Sequence, residues 1–199
     1  MINFTKAKFI KSAPSYIERP EKNLPEIVFV GKSNVGKSSI INALVKNKHM
    51  AFTSSKPGYT KLLNYFEIDE KFYLVDAPGY GYTASGGKYL DSFANMMEVY
   101  FKNCPTLAGV VFIVDSRHKM SHDDEDFYDF IVEMGIPFVI VASKIDKLNQ
   151  SEKAQMKKNI AEAFGNYSEF VGTSIQDERT IEKLRQTLAN LIKQWKNNI

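Results

Sequence analysis

Apolar positions along this chain alternate between two rhythms. The short runs EIVFV (26–30), GVVFIVD (109–115) and PFVIVAS (137–143) are almost wholly apolar, the pattern of strands buried on both faces. Between them apolar residues recur at helical spacing: Ile40, Ile41, Leu44 and Val45, then Leu90, Phe93, Met97, Tyr100 and Phe101, then Phe127, Phe130, Ile131 and Met134. Two later helices are expected from Met156, Ile160 and Phe164, and from Ile181, Leu184, Leu188, Leu191 and Trp195, with a short strand EFVGTS (169–174) between them. LNYFEI (63–68) and FYLVD (72–76) share the turn IDEK, as a hairpin does. The stretch 48–60 shows no period and reads as a long loop.

Strands alternating with helices predict a three-layer α/β fold with helices on both faces of a mostly parallel sheet. Six strands are expected, with the hairpin adding one antiparallel edge strand. Pro14, Pro20 and Pro25 interrupt the first 25 residues, so residues 1–22 are expected to be a basic extension and 23–197 a single domain. Ligands of such folds bind beyond the carboxyl ends of the strands, which directs attention to the loops there.

Composition narrows the class. A chain of 199 residues, 44% hydrophobic and 25% charged, is an ordinary globular chain with one core. The single Cys104 cannot form an internal disulfide and is expected as a small core residue in a reducing, cytoplasmic setting. No apolar run approaches the ~18 residues of a membrane span, so no membrane partner is expected. The net charge of +3 argues only weakly for nucleic acid, although Lys6, Lys8, Lys11, Arg19 and Lys22 concentrate in the first 22 residues.

The first chemical motif is GKSNVGKS (31–38), which fits G-x-x-x-x-G-K-[ST] and lies between an expected strand and an expected helix. Gly31 and Gly36 let the backbone of Lys32, Ser33, Asn34 and Val35 wrap phosphate oxygens, and the helix N-terminus adds positive potential there. Lys37 is expected on the β- and γ-phosphates and the Ser38 hydroxyl on Mg²⁺, with Ser39 following.

A second motif names the base. In ASKIDKL (142–148), Asp146 can accept hydrogen bonds from guanine N1–H and N2–H, whereas adenine would leave it unpaired, a penalty of about 3 kcal/mol. The Lys144 stem can lie along the base plane while its ammonium reaches the phosphate loop. Thr173 and Ser174, at the end of the last strand, are expected to offer backbone N–H groups to guanine O6.

With both loops in one chain, the sequence resembles the EngB (YihA/YsxC) family of ribosome-biogenesis GTPases, within the translation-factor-type GTPases. The resemblance rests on PEIVFVGKSNVGKSSIINAL (25–44), SKPGYT (55–60), VDAPGYGY (75–82), GVVFIVDSRH (109–118) and SKID (143–146), which span nearly the whole chain. It implies a P-loop GTPase fold, Mg²⁺, and nucleotide contacts along Gly58, Tyr59, Thr60, Lys61 and Leu62, along Asp76, Ala77, Pro78 and Gly79, and along Ser143, Lys144, Ile145 and Asp146. Lys37, Thr60 and Gly79 become the catalytic candidates. Thr60 is implied to bind Mg²⁺ and the γ-phosphate, Asp76 a magnesium-bound water, and the Gly79 N–H the γ-phosphate. The resemblance further implies a monomer that acts on the large ribosomal subunit or its precursor, through rRNA and ribosomal proteins, with a link to cell division and septation. Ser143 departs from the threonine or asparagine usual at its position.

Tyr80 follows Gly79 where many GTPases carry a water-orienting glutamine, so slow intrinsic hydrolysis is expected. Asn34, fourth in the phosphate loop, is a candidate K⁺ ligand whose ion would neutralise transition-state charge. HKMSHDDED (118–126) gathers metal-binding residue types, but Ser121 with Asp124 three places on reads as a helix capping box. The basic residues near Phe4, Phe9 and Tyr16, and Lys183, Arg185, Lys193 and Lys196 on the last helix, are candidate RNA contacts. An ATP-dependent small-molecule kinase is the competing enzyme class, disfavoured by SKID. A GTP/GDP-gated binding module with incidental hydrolysis is the other alternative.

Overall fold

The computed structural model describes residues 2–51, 62–81, 87–165 and 170–197, with the side chains of 87–92 outside the description. The strands are β1 (Ala7–Ala13), β2 (Glu26–Gly31), β3 (Leu63–Ile68), β4 (Phe72–Asp76), β5 (Leu107–Asp115), β6 (Phe138–Ser143) and β7 (Phe170–Gly172). The helices are α1 (Lys37–Val45), α2 (Gly87–Asn103), α3 (His122–Glu133), α4 (Gln150–Ala163) and α5 (Glu178–Asn197). They form one open sheet in the order β1-β3-β4-β2-β5-β6-β7, in which only β3 runs antiparallel to its neighbours.

The alternating side chains of β2 explain the layers. Ile27 and Phe29 face a core with Leu44 of α1 and Leu184 and Leu188 of α5, while Val28 and Val30 face one with Met97 of α2, Phe127 of α3 and Ile160 of α4. The hairpin forms as expected, Ile68 pairing with Phe72. Its turn of three residues places Asp69 and Glu70 at φ 49° and 56°, both left-handed without glycine, and Lys71 N donates to Ile68 O at 2.9 Å.

The sheet has seven strands among the described residues, not six. Residues 7–13, expected within an extension, pair with β3 from Ala7↔Ile68 to Ala13↔Leu63, with a register shift between Phe9 and Lys11. The antiparallel strand therefore lies second from the edge. Two aromatic residues expected to be available to RNA are used in packing: Phe4 is buried against Phe72, and Tyr16 meets Tyr100 edge-on at 6.2 Å. Only Phe9 remains half exposed. The local pattern missed β1 because an edge strand buries one face only and tolerates lysines.

At the amino end of the parallel strands, Glu26 is 1% exposed. It accepts hydrogen bonds from Arg19 Nη1 at 2.8 Å, from Thr106 Oγ1 at 2.7 Å, and from the Tyr100 hydroxyl. Cys104 is buried beside it, as expected of a core residue, and burial pushes its thiol up to about 11. Among the described residues no helix is long and apolar enough to cross a membrane.

Candidate functional site

The loops at the carboxyl ends of β2, β4, β5 and β6 meet at one edge of the sheet. The loop after β2 turns through Asn34 at φ 65° and Gly36 at φ 102° before α1 begins at Lys37. Gly36 is left-handed and caps the helix, a conformation that a side chain would strain. The loop thus runs straight into the N-terminus of α1, the strand–turn–helix context in which the motif is expected.

Lys37 pairs with Asp76, the last residue of β4, and both side chains are nearly buried, at 10% and 6% exposed. The chain then passes the phosphate loop so closely that a Cβ on Gly79 would lie 2.9 Å from Ser33 Oγ and 3.0 Å from Ser33 Cα. Only glycine fits there. Backbone hydrogen bonds continue the contact, from Ser33 N to Tyr80 O at 2.9 Å and from Tyr80 N to Gly31 O at 3.3 Å.

The Tyr80 side chain does not face this edge. Its ring is 2% exposed, stacked on Phe127 at 5.4 Å and packed against Phe93 at 5.8 Å. Its hydroxyl donates to Asp124 Oδ1 at 2.7 Å. Burial first, and the adjacent Asp124 second, push its pKa well above the ordinary value, so it stays a neutral donor. Tyr80 thus shares the glutamine's place in the chain but not its direction. The Ser121–Asp124 capping box forms at the start of α3 as expected, with Asp124 Oδ2 accepting from Ser121 N at 2.9 Å and Ser121 Oγ at 2.7 Å.

The loop of residues 143–146 is tied directly to the loop of residues 31–36. Ser143, 1% exposed, donates from Oγ to Val35 O at 2.7 Å, with Val114 O at 3.1 Å. Lys144 sits at φ 60° and folds back to donate to Asn34 O at 2.9 Å and Asp115 Oδ2 at 2.8 Å. The departure at Ser143 therefore keeps a hydroxyl where the loop is held. Asp115, which sequence reasoning did not single out, also accepts from Arg117 Nε at 2.9 Å and Nη2 at 2.8 Å. Burial pushes its carboxyl up, but the hydrogen bonds from Arg117 and Lys144 outweigh this and hold it well below the ordinary range. An acid closing β5 was the available signal.

Asp146 stands in the turn of residues 145–147 with Lys147 3.4 Å away. Slight burial raises its pKa, but a Ser174 hydrogen bond and Lys147 lower it further, so it stays ionised. Thr173 and Ser174 are brought beside this loop, but not with N–H groups to spare. Thr173 N donates to Ala142 O at 2.8 Å and Ser174 N to Thr180 Oγ1 at 2.9 Å. Both N–H groups are engaged within the fold here, and Ser174 hydrogen-bonds Asp146.

Gly58, Tyr59, Thr60 and Lys61 lie outside the described residues; Leu62 is described and partly exposed. Arg185 is removed from the set of RNA contacts. It is 7% exposed and donates to Leu44 O and Ala43 O, both at 2.8 Å, capping the far end of α1, with Glu178 at 2.7 Å. Lys183, Lys193 and Lys196 are exposed on the same helix.

Comparison with known proteins gives three kinds of likeness. The model of a family described as 50S ribosome-binding GTPase matches residues 26–144. A "Probable GTP-binding protein EngB" of Mesoplasma florum is 42% identical over 192 residues, covering 95% of this chain and 97% of that protein. A crystal structure of a probable GTP-binding protein EngB superposes with a TM-score of 0.66 at 23% identity, covering 85% of this chain and 99% of that one. Era in complex with MgGDPNP and a segment of 16S ribosomal RNA superposes with a TM-score of 0.60 at 23% identity, covering 87% of this chain and 57% of that one. At these identities the two structures speak for the fold, the open P-loop GTPase sheet.

Proposed function

Because this chain belongs to the EngB family of GTPases, we propose that it couples GTP binding and hydrolysis to assembly of the large ribosomal subunit. The reading rests on one observation above others: the loop that would recognise guanine and the loop that would hold phosphate are locked together through Ser143 Oγ to Val35 O and Lys144 Nζ to Asn34 O. A ligand that fits both must carry a guanine base at a fixed distance from a phosphate chain. In this reading Asp146 accepts from the base edge, the N–H groups of residues 32–36 hold the phosphates, and Lys37 moves from Asp76 to the β- and γ-phosphates.

The residues present fit Mg²⁺. Asp76 is a nearly buried carboxylate beside Lys37, and Ser38 supplies a hydroxyl in the first turn of α1, the hard oxygen donors that Mg²⁺ prefers. When bound, the ion would neutralise charge building on the phosphate oxygens. Asn34 remains the candidate for K⁺; its side chain is exposed at the edge of the phosphate loop. No side-chain amide follows Gly79, so a slow reaction in isolation, hastened by the ribosomal partner, fits the geometry.

The ribosomal part is supported by the family's description as 50S ribosome-binding and by Era's complex with ribosomal RNA. Lys8 and Lys11 beside the half-exposed Phe9 on β1 are the surface that best suits RNA phosphates and bases. A link to cell division would follow from the supply of ribosomes. The test is phosphate release from GTP in K⁺ and in Na⁺, each with and without large ribosomal subunits. Stimulation by the particle is expected, with K⁺ exceeding Na⁺. Particle binding that depends on nucleotide, without stimulation in either salt, would replace the assembly enzyme with a gated binding module.

A further inference from the structure

We infer that Tyr80 is a positioning residue that sets Gly79 for the γ-phosphate by anchoring it, through Asp124, to the amino end of α3. The inference deepens the GTPase reading and rests on it. Gly79 touches the phosphate loop at Ser33, and the next residue fixes that contact from two sides. On the backbone side, Tyr80 exchanges hydrogen bonds with the loop, to Gly31 O and from Ser33 N. On the side-chain side, its ring is held between Phe93 of α2 and Phe127 of α3.

The hydroxyl gives this packing a direction. It donates to Asp124 Oδ1 at 2.7 Å, while Asp124 Oδ2 caps α3 through Ser121. Lys32 of the phosphate loop reaches the same cap, with Ser121 Oγ at 3.1 Å and Asp123 at 3.5 Å. Phosphate loop, Gly79 and α3 therefore form one closed circuit. A γ-phosphate that pulls on the Gly79 N–H must work against it, and α3 must feel the pull. Any buried phenol needs an acceptor; here the acceptor's other oxygen also caps α3 through Ser121. The second carboxylate oxygen is what joins core packing to the site.

The test separates positioning from bulk stability. In Tyr80→Phe the ring stays and only the hydroxyl is lost. Affinity for GDP and for a non-hydrolysable GTP analogue is measured by fluorescence titration, with turnover of GTP alongside. The expected result is a ~5- to 10-fold loss of analogue over GDP preference and a matching fall in kcat, with GDP affinity within twofold of the parent; this corresponds to one charge-assisted hydrogen bond. An unchanged analogue-to-GDP ratio with only a lowered melting temperature overturns the inference. Should Tyr80→Phe fail to fold, Asp124→Asn keeps an acceptor for the Ser121 cap and removes the charge facing the phenol. A smaller shift of the ratio in the same direction is expected from it, and no shift overturns the inference. Tyr80→Gln, which restores the amide, is expected to lower kcat, and a rise would place residue 80 in the site. Failure of the parent to bind GDP would instead sink the GTPase reading itself.

Discussion

The two ends of strand β2 carry the same ingredients and do different things with them. At its start, Glu26 is buried with a cation, a phenol and a hydroxyl closed around it. Beyond its end, Lys37 meets the nearly buried Asp76, and the neighbouring strands present Asp115 with Lys144. At the amino end Arg19 and Thr106 on connecting segments and Tyr100 on α2 close around a carboxylate only 1% exposed, which leaves Glu26 no ligand to meet. At the carboxyl end the partners stand on loops and a helix N-terminus, where a phosphate chain can replace one carboxylate by another anion. A buried ion pair is thus structural or functional according to whether its partners can be exchanged.

Substitutions can break or sharpen that contrast. The largest effect is expected from Lys37→Ala: nucleotide affinity should fall ~10³-fold, about 4 kcal/mol, in a titration with fluorescent GDP. Affinity within tenfold of the parent would mean that the Lys37–Asp76 pair belongs with Glu26 as structure. Glu26→Ala should do the reverse. It leaves Arg19 and the Tyr100 hydroxyl without their acceptor and should cost ~3–5 kcal/mol of unfolding free energy in urea, with nucleotide affinity unchanged. A loss of affinity larger than the loss of stability would show that the two ends communicate.

Asp146→Asn should weaken GTP ~100-fold, about 3 kcal/mol, and favour xanthine nucleotides, whose N2 edge accepts rather than donates. A variant that still prefers GTP to XTP would remove Asp146 from base recognition. Ser143→Ala is the mildest. It deletes the hydroxyl that ties the base loop to Val35 O and Val114 O, and should cost ~1–2 kcal/mol, read as roughly tenfold weaker GDP binding with a small fall in melting temperature. A fall in melting temperature alone would make Ser143 a core residue only.

The alternation of apolar runs and helical spacings placed β2 through β7 and all five helices, since each depends on side chains within a few residues of one another. The phosphate loop and the S-K-x-D turn were legible for the same reason: a strand, a tight turn and a helix start are local events. The capping box at Ser121 and Asp124 was legible too, being three residues wide. Edge strand β1 was not, because its partner is β3 and its own pattern is that of a solvated segment.

What the sequence could not determine is where each polar group finds its partner. Arg185 has the residue type of an RNA contact, yet it caps carbonyls 141 and 142 positions away. Thr173 and Ser174 stand where O6 donors are sought, but their N–H groups are committed to Ala142 and Thr180. Tyr80 fills a glutamine's place in the chain, and only the aromatic wall of α2 and α3 turns its ring inward. The sequence by itself determined which loops exist and what chemistry they can hold, because backbone geometry and residue type are local. Only the tertiary structure decided which of those groups are committed, because a buried donor or acceptor must be satisfied by whatever the fold brings within 3 Å, however distant in the chain.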